Sequence, residues 1–103
     1  MKYMITGQRN LVPDPTSEQL VALIQAAKQH HLALLEDGTL DCAYGFVEGV
    51  GGFVIANADS HEEAQRLLLQ YPLLPFYDWD VKPLCDLISA YDNFSDFYSR
   101  HIG

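Results

Sequence analysis

Positive charge is what this chain has least of: six Lys and Arg stand against fourteen Asp and Glu among 103 residues, a formal charge of −8 at pH 7. A field of that sign repels phosphate backbones and anionic lipid headgroups, so neither nucleic acid nor a membrane surface is an expected partner. Long apolar runs are missing as well. No stretch approaches the roughly 18 residues needed to cross a bilayer, and the opening Met1 to Thr6 meets Gly7 and Arg9 before the apolar core of a leader can build. A cytoplasmic protein is expected. Cysteine is limited to Cys42 and Cys85, without CxxC spacing and in apolar or strand-like contexts, which suits reduced, buried thiols. The four histidines, His30, His31, His61 and His101, show no ligand spacing, so no metal is expected, and no cofactor fingerprint is present.

Two glycine-rich signals are tested and set aside. Gly49-Val50-Gly51-Gly52 opens a β-prone run rather than a helix and lacks a following Lys-Ser or Lys-Thr, so it reads as a hairpin turn and not a phosphate loop. Gly51-Gly52-Phe53-Val54-Ile55 resembles the third strand of an RNA recognition motif, but the leading basic residue is absent and Ala56 stands where a stacking aromatic is needed.

What is present is an ordinary globular composition, 49% hydrophobic and 19% charged, in a chain long enough for one core and too short for two. Residues 1–103 are therefore one domain. Lys2 to Gln8 is β-prone and ends before the turn-forming Val12-Pro13-Asp14-Pro15. Thr16 and Gln19 form a capping box, and Leu20, Ile24, Ala27, His31 and Leu34 recur at helical spacing until Gly38, predicting a helix over 17–36. Leu40 to Val47 and Gly52 to Ala58 read as a hairpin, with Leu40, Cys42, Tyr44 and Phe46 on one face of the first strand. Ser60 and Glu63 cap a second helix of about three turns that Pro72 stops. Tyr77 to Leu84 alternates, Trp79 and Val81 against Asp78, Asp80 and Lys82, and Tyr91, Phe94, Tyr98 and Ile102 mark a terminal helix.

The order βαββαβ plus a short C-terminal helix predicts an α+β, ferredoxin-like domain with both main helices on one face of an antiparallel sheet. The other face then lacks a cover, which predicts pairing with a second copy of the chain, sheet to sheet, as a dimeric αβ barrel.

The stretch Pro72-Leu73-Leu74-Pro75-Phe76-Tyr77-Asp78-Trp79-Asp80-Val81, continuing to Leu84-Cys85, resembles the muconolactone isomerase family, whose members carry P-L-x-P-x-x-D-x-x-V-x-x-L-C leading into the fourth strand. The capped helix from Ser60 to Gln70 is similar too. The resemblance implies a ferredoxin-like protomer, a two-sheet barrel, often a ring of dimers, and a small-molecule pocket between sheet and helices. It implies an isomerase acting on a small lactone or carboxylic acid. The family's second strand is rich in basic and aromatic residues, whereas Asp41-Cys42-Ala43-Tyr44-Gly45-Phe46 stands there in this chain.

Proton transfer within such an acid calls for a base, a donor for the enolate oxygen and a cation for the carboxylate. His31 falls on the apolar face of the first helix and points at the sheet; it serves either as a base or as a structural imidazole bonding a backbone carbonyl. His30, beside it, is expected to be exposed. Tyr44 is the candidate donor and Glu48 a second candidate base, the alternative for Glu48 being a solvated turn residue. Phe46, Tyr77 and Trp79 are candidates for the pocket wall, or for core and interface. Arg9 and Lys28 are the cations nearest such a pocket. The aromatics from Tyr91 to Tyr98 either pack on their own domain or close a neighbour's pocket. Against the enzyme stands a second reading, a non-catalytic oligomeric scaffold or small-molecule binder of the same fold.

Overall fold

The computed structural model describes residues 1–10, 15–49 and 51–102. Three earlier expectations fall outside them: the Val12 to Asp14 part of the first turn, Val50 in the hairpin turn, and the side chain of Ile102. The elements are β1 (Lys2–Arg9), α1 (Ser17–Glu36), β2 (Leu40–Gly45), β3 (Gly51–Asn57), α2 (His61–Leu69), a single 3-10 turn (Leu74–Phe76), β4 (Tyr77–Leu84) and α3 (Leu87–Ile102). The four strands form one antiparallel sheet in the order β2-β3-β1-β4, the ferredoxin-like arrangement read from the sequence.

Local chemistry sets the element ends. Thr16 Oγ1 accepts from the Gln19 amide while the Gln19 side chain accepts from the Thr16 amide, so two of the orphan donors at the start of α1 are satisfied. At the other end Gly38 takes φ +81°, the left-handed conformation that closes a helix without a Cβ penalty. Ser60 caps α2 by accepting from the Glu63 amide, and Glu63 reaches back to the Asp59 amide rather than to Ser60.

The core lies between the sheet and the two helices. Tyr3 and Ile5 of β1, Leu40 of β2, and Val54 and Ala56 of β3 are buried there, with Ala27 of α1 and Ala64 of α2 above them. Tyr3 also donates or accepts at His61 Nδ1 over 2.7 Å, tying β1 to the start of α2. Burial of a side chain such as Ile5 is worth about 2 kcal/mol.

The structure corrects three readings of the sequence. Leu40 does not share a face with Cys42 and Tyr44: the β2–β3 register slips between Leu40 and Cys42, so Leu40 opposes Ala56 in the core while Cys42 and Tyr44 oppose Ile55 and Phe53 on the open face. The extra residue is Asp41, which the bulge turns toward Lys2 and Asn57; Lys2 Nζ lies 2.6 Å from its carboxylate and the Asn57 amide 2.7 Å. Those contacts hold the Asp41 carboxyl below its ordinary range. Cys85 is exposed rather than buried. His30 is half-buried rather than exposed, and its Nε2 has no hydrogen-bond partner among the described residues.

The terminal helix forms where the spacing places it, but it does not pack on its own domain. Leu87, Ile88, Tyr91, Phe94, Phe97 and Tyr98 are all more than half exposed. The radius of gyration, 17.3 Å, exceeds the roughly 13 Å of a compact chain of this length, and the molecule measures 63 Å along its longest axis against 29 and 25 Å across. Among the described residues no helix is long and apolar enough to cross a membrane.

Candidate functional site

The site is at the end of the sheet where β1 finishes and β4 begins. Cross-strand register fixes who meets there: Gly7 opposes Trp79 on one side and Gly52 on the other, and Arg9 opposes Tyr77. Residues 5, 7 and 9 of β1 and 77 and 79 of β4 thus point toward the helices. Gly7 is required at its position. A Cβ there would stand 2.8 Å from the Trp79 ring and 3.1 Å from that of Tyr77, so the missing side chain lets both rings lie across the strand.

Above this floor the rings form a continuous wall. Tyr77 stacks on Trp79 with centroids 5.5 Å apart, Trp79 meets Tyr71 at 5.0 Å, and Tyr71 meets His31 at 4.9 Å and His30 at 5.2 Å. Trp79 is pinned in this wall because its indole N–H donates to the Leu74 carbonyl over 3.0 Å. The 3-10 turn that supplies this carbonyl is part of the Pro72 to Pro75 stretch, so the prolines shape the turn that holds the wall.

The wall bounds a cavity of about 270 Å³, floored by Ile5, Gly7 and Val54 and rimmed by Tyr44 and Phe53. That volume takes a single-ring ligand. A smaller cavity of about 90 Å³ adjoins it, sharing Tyr77 and lined also by Arg9, Asn10 and Phe76.

His31 enters the larger cavity from α1. Its Nδ1 is 2.8 Å from the Ala27 carbonyl, one helical turn back. A carbonyl only accepts, so Nδ1 carries the proton and Nε2 of the neutral ring keeps its lone pair, as a base requires. The two roles offered by the sequence are therefore compatible: the bond to Ala27 orients the ring that lines the cavity. Burial pushes the His30 imidazole below its ordinary value, with the His31 charge acting in the same direction, so His30 favours the neutral form. Burial likewise pushes Tyr71 up to about 12, so it stays a neutral phenol across the physiological range.

Of the residues singled out in the sequence, His31, Tyr44, Tyr77 and Trp79 line the larger cavity. Phe46 does not line it; its ring meets Phe53 at 6.4 Å on the open face. Glu48 is exposed on the hairpin turn and lines neither cavity. Tyr71, which is not among the site residues named from the sequence, is the ring that joins Trp79 to the histidines. Its signal was its place, immediately before Pro72 of the family-like stretch.

Cations are distributed unevenly around this site. Lys2, Lys82 and Arg100 are paired with Asp41, Asp80 and Asp96. Arg9, Lys28 and Arg66 make no ion pair among the described residues, and of these only Arg9 lines a cavity.

No curated protein matches the chain in sequence. Among solved structures, the fold is similar to a crystal structure of muconolactone isomerase, with a TM-score of 0.75 and 22% identity over 84% of this chain and 90% of that one. It is also similar to 5-chloro-2-hydroxyhydroquinone dehydrochlorinase from Burkholderia phenoliruptrix AC1100, solved with 2,5-dihydroxybenzoquinone, with a TM-score of 0.54 and 18% identity over 82% and 94%. Residues 1–90 match the sequence pattern of the muconolactone delta-isomerases, and the chain belongs to that family.

Proposed function

We propose that this protein is an isomerase that shifts a proton within a small unsaturated lactone or ring acid. The observation that carries this reading is His31, an imidazole oriented by the Ala27 carbonyl at the wall of an aromatic-lined cavity of about 270 Å³. In the proposed step Nε2 takes a proton from the saturated carbon at one end of the unsaturated unit conjugated with the lactone carbonyl, leaving a dienolate with its charge on oxygen. The imidazolium then returns the proton to a carbon further along the conjugated system, so the double bond moves and nothing is lost. The rings of Tyr71, Trp79 and Tyr77 exclude water and stack on the substrate.

A carboxylate on the substrate is proposed to reach past Tyr77 to Arg9, whose guanidinium matches it with two parallel N–H bonds. In a chain of charge −8 that local cation sets where an anion can sit. The protein is further proposed to act as a pair of copies joined through the sheet faces that carry Met4, Cys42, Phe53 and Ile55, all half-buried in a single chain.

The family and its relatives support the reading: the dehydrochlorinase that shares the fold was solved with a six-membered ring compound. The test is a spectrophotometric assay of the purified chain on muconolactone and related unsaturated lactones, with His31→Ala beside it. Loss of a general base lowers kcat by roughly 10²- to 10⁴-fold. Turnover unchanged in His31→Ala removes His31 as the base. Saturable binding without turnover in the parent chain favours the non-catalytic binder, a reading that Glu48's position outside the cavities keeps in view.

A further inference from the structure

The proposed proton shift leaves charge on a substrate oxygen, and an oxyanion in an apolar cavity calls for a hydrogen-bond donor. The side chains lining the larger cavity offer few. The Trp79 indole N–H is already given to the Leu74 carbonyl. Tyr44 opposes Phe53 on the open face of the sheet and is 64% exposed. Tyr77 stands on the far side of Trp79, where the larger cavity adjoins the one lined by Arg9. Tyr71 is left, and its ring is the one that meets His31.

Tyr71 is only 5% exposed. Its backbone is fixed from both sides: the amide donates to the Leu68 carbonyl over 3.2 Å, and the carbonyl accepts from the Leu74 amide over 3.0 Å. The ring is held among His30, His31 and Trp79. Its hydroxyl, however, has no hydrogen-bond partner among the described residues. Nor is that hydroxyl sealed in the way His30 Nε2 is, and the open space beside Tyr71 is the cavity that it lines. Leaving a hydroxyl unpaired in a buried residue is unfavourable, so a phenol kept in that state at a cavity wall is poised for an acceptor on the ligand. Burial also holds its proton in place, pushing the phenol up to about 12, so the group meets a ligand as a donor and not as an anion.

We propose that the Tyr71 hydroxyl hydrogen-bonds the carbonyl oxygen of the lactone and stabilises the negative charge that His31 creates there. In a five-membered unsaturated lactone the carbonyl oxygen and the saturated carbon that loses its proton flank the ring oxygen, so base and donor must stand side by side. His31 and Tyr71 do, with ring centroids 4.9 Å apart. Tyr71 donates a hydrogen bond and retains its own proton. The one proton that moves is the proton His31 takes and returns, and the bond from Tyr71 strengthens while charge resides on the oxygen. The inference rests on the isomerase reading for the identity of the acceptor, but the preference it gives the cavity is wider: flat rings bearing an oxyanion over the same rings without one.

The test uses 4-nitrophenol, whose anion alone is yellow, and nitrobenzene, the same ring without the oxygen. Binding of each to the parent chain, Tyr71→Phe and Arg9→Gln is followed by absorbance or titration calorimetry at pH 8. The parent is expected to favour the anion. Tyr71→Phe is expected to keep the circular dichroism and melting temperature of the parent and to bind the anion about 10- to 100-fold more weakly, with nitrobenzene unchanged. Where a lactone is turned over, the same variant is expected to lower kcat about 100-fold and move KM little. Failure of the parent to bind either probe overturns the inference. So does an equal loss of both probes in Tyr71→Phe, which assigns the effect to packing, or anion binding that survives in Tyr71→Phe and disappears in Arg9→Gln, which places the oxyanion at the guanidinium. A chain that passes the binding test and turns over no lactone overturns the isomerase reading alone. Turnover that needs His31 and proceeds at full kcat in Tyr71→Phe overturns this inference alone.

Discussion

The indole of Trp79 lies over Gly7 so closely that the smallest added side chain collides with it: the Cβ of an alanine at position 7 would sit 2.8 Å from Cζ3 and 3.1 Å from Cε3. The ring has little room to yield, being bonded to the Leu74 carbonyl and enclosed by Tyr71 and Tyr77. Gly7→Ala is therefore expected to cost about 1–3 kcal/mol. Thermal or urea denaturation of the variant measures it. Adding Trp79→Leu removes the obstruction, so the double variant is expected to lose less than the two single losses combined. Strict additivity would show that the ring is not what position 7 accommodates.

His30 makes stability depend on pH in a definite direction. Its folded-state affinity for a proton is depressed, by burial first and by His31 second. The contribution is present above the ordinary histidine value near 6.5 and is lost as pH falls through the lower folded value, because the unfolded chain takes the proton first. Melting temperature is expected to fall on going from pH 8 to pH 5, and to fall less steeply in His30→Phe. The substitution also removes the Nε2 that lacks a partner among the described residues, so at pH 8 it is expected to be neutral or stabilising. Equal slopes for the two proteins would locate the acid sensitivity elsewhere.

Much of this architecture was legible in the sequence because it rests on short-range rules. Thr16 with Gln19, Ser60 with Glu63, and Gly38 marked helix ends through contacts within four residues. The alternation of Trp79 and Val81 with Asp78 and Asp80 gave β4 and its faces. What escaped was non-local. A strand of period two carries no mark of the bulge at Asp41, since Lys2 and Asn57, the residues that hold Asp41, are 39 and 16 positions away. His30 looked exposed because it is one residue off the apolar stripe of α1, and the ring of Tyr71, distant in sequence, packs against it. The cavity shows the same division: His31 and Trp79 could be named from patterning, whereas the wall between them depends on Tyr71, some forty residues from one and eight from the other.

The bond between Tyr3 and His61 predicts a small but separable effect. Tyr3 is buried and joins the sheet to the first residue of α2 over 2.7 Å, while His61 is exposed enough to turn to water if the hydroxyl is removed. Tyr3→Phe keeps the ring in the core and is expected to lower stability by about 0.5–1.5 kcal/mol. The loss is expected to shrink in a His61→Ala background, which a double-mutant cycle by denaturation would read. A loss of the same size in both backgrounds would assign it to packing rather than to the hydrogen bond.

Arg9 is where the charge argument becomes a number. Among the described residues three of the six Lys and Arg are held by carboxylates, and of the rest only Arg9 lines either of the two cavities, next to the tyrosine that its cavity shares with the larger one. If a ligand's carboxylate sits there, removing the guanidinium strands an anion in a chain of charge −8. Arg9→Gln is expected to weaken binding of an acid ligand about 10- to 100-fold, the equivalent of roughly 1.4–2.8 kcal/mol, with little effect on its methyl ester. Lys28→Gln, at a cation that lines neither cavity, serves as the control and is expected to leave both ligands unchanged. Isothermal titration of the four pairs decides the matter: equal losses for acid and ester would mean that Arg9 shapes the pocket, and equal losses in Arg9→Gln and Lys28→Gln would mean that only the overall field is felt.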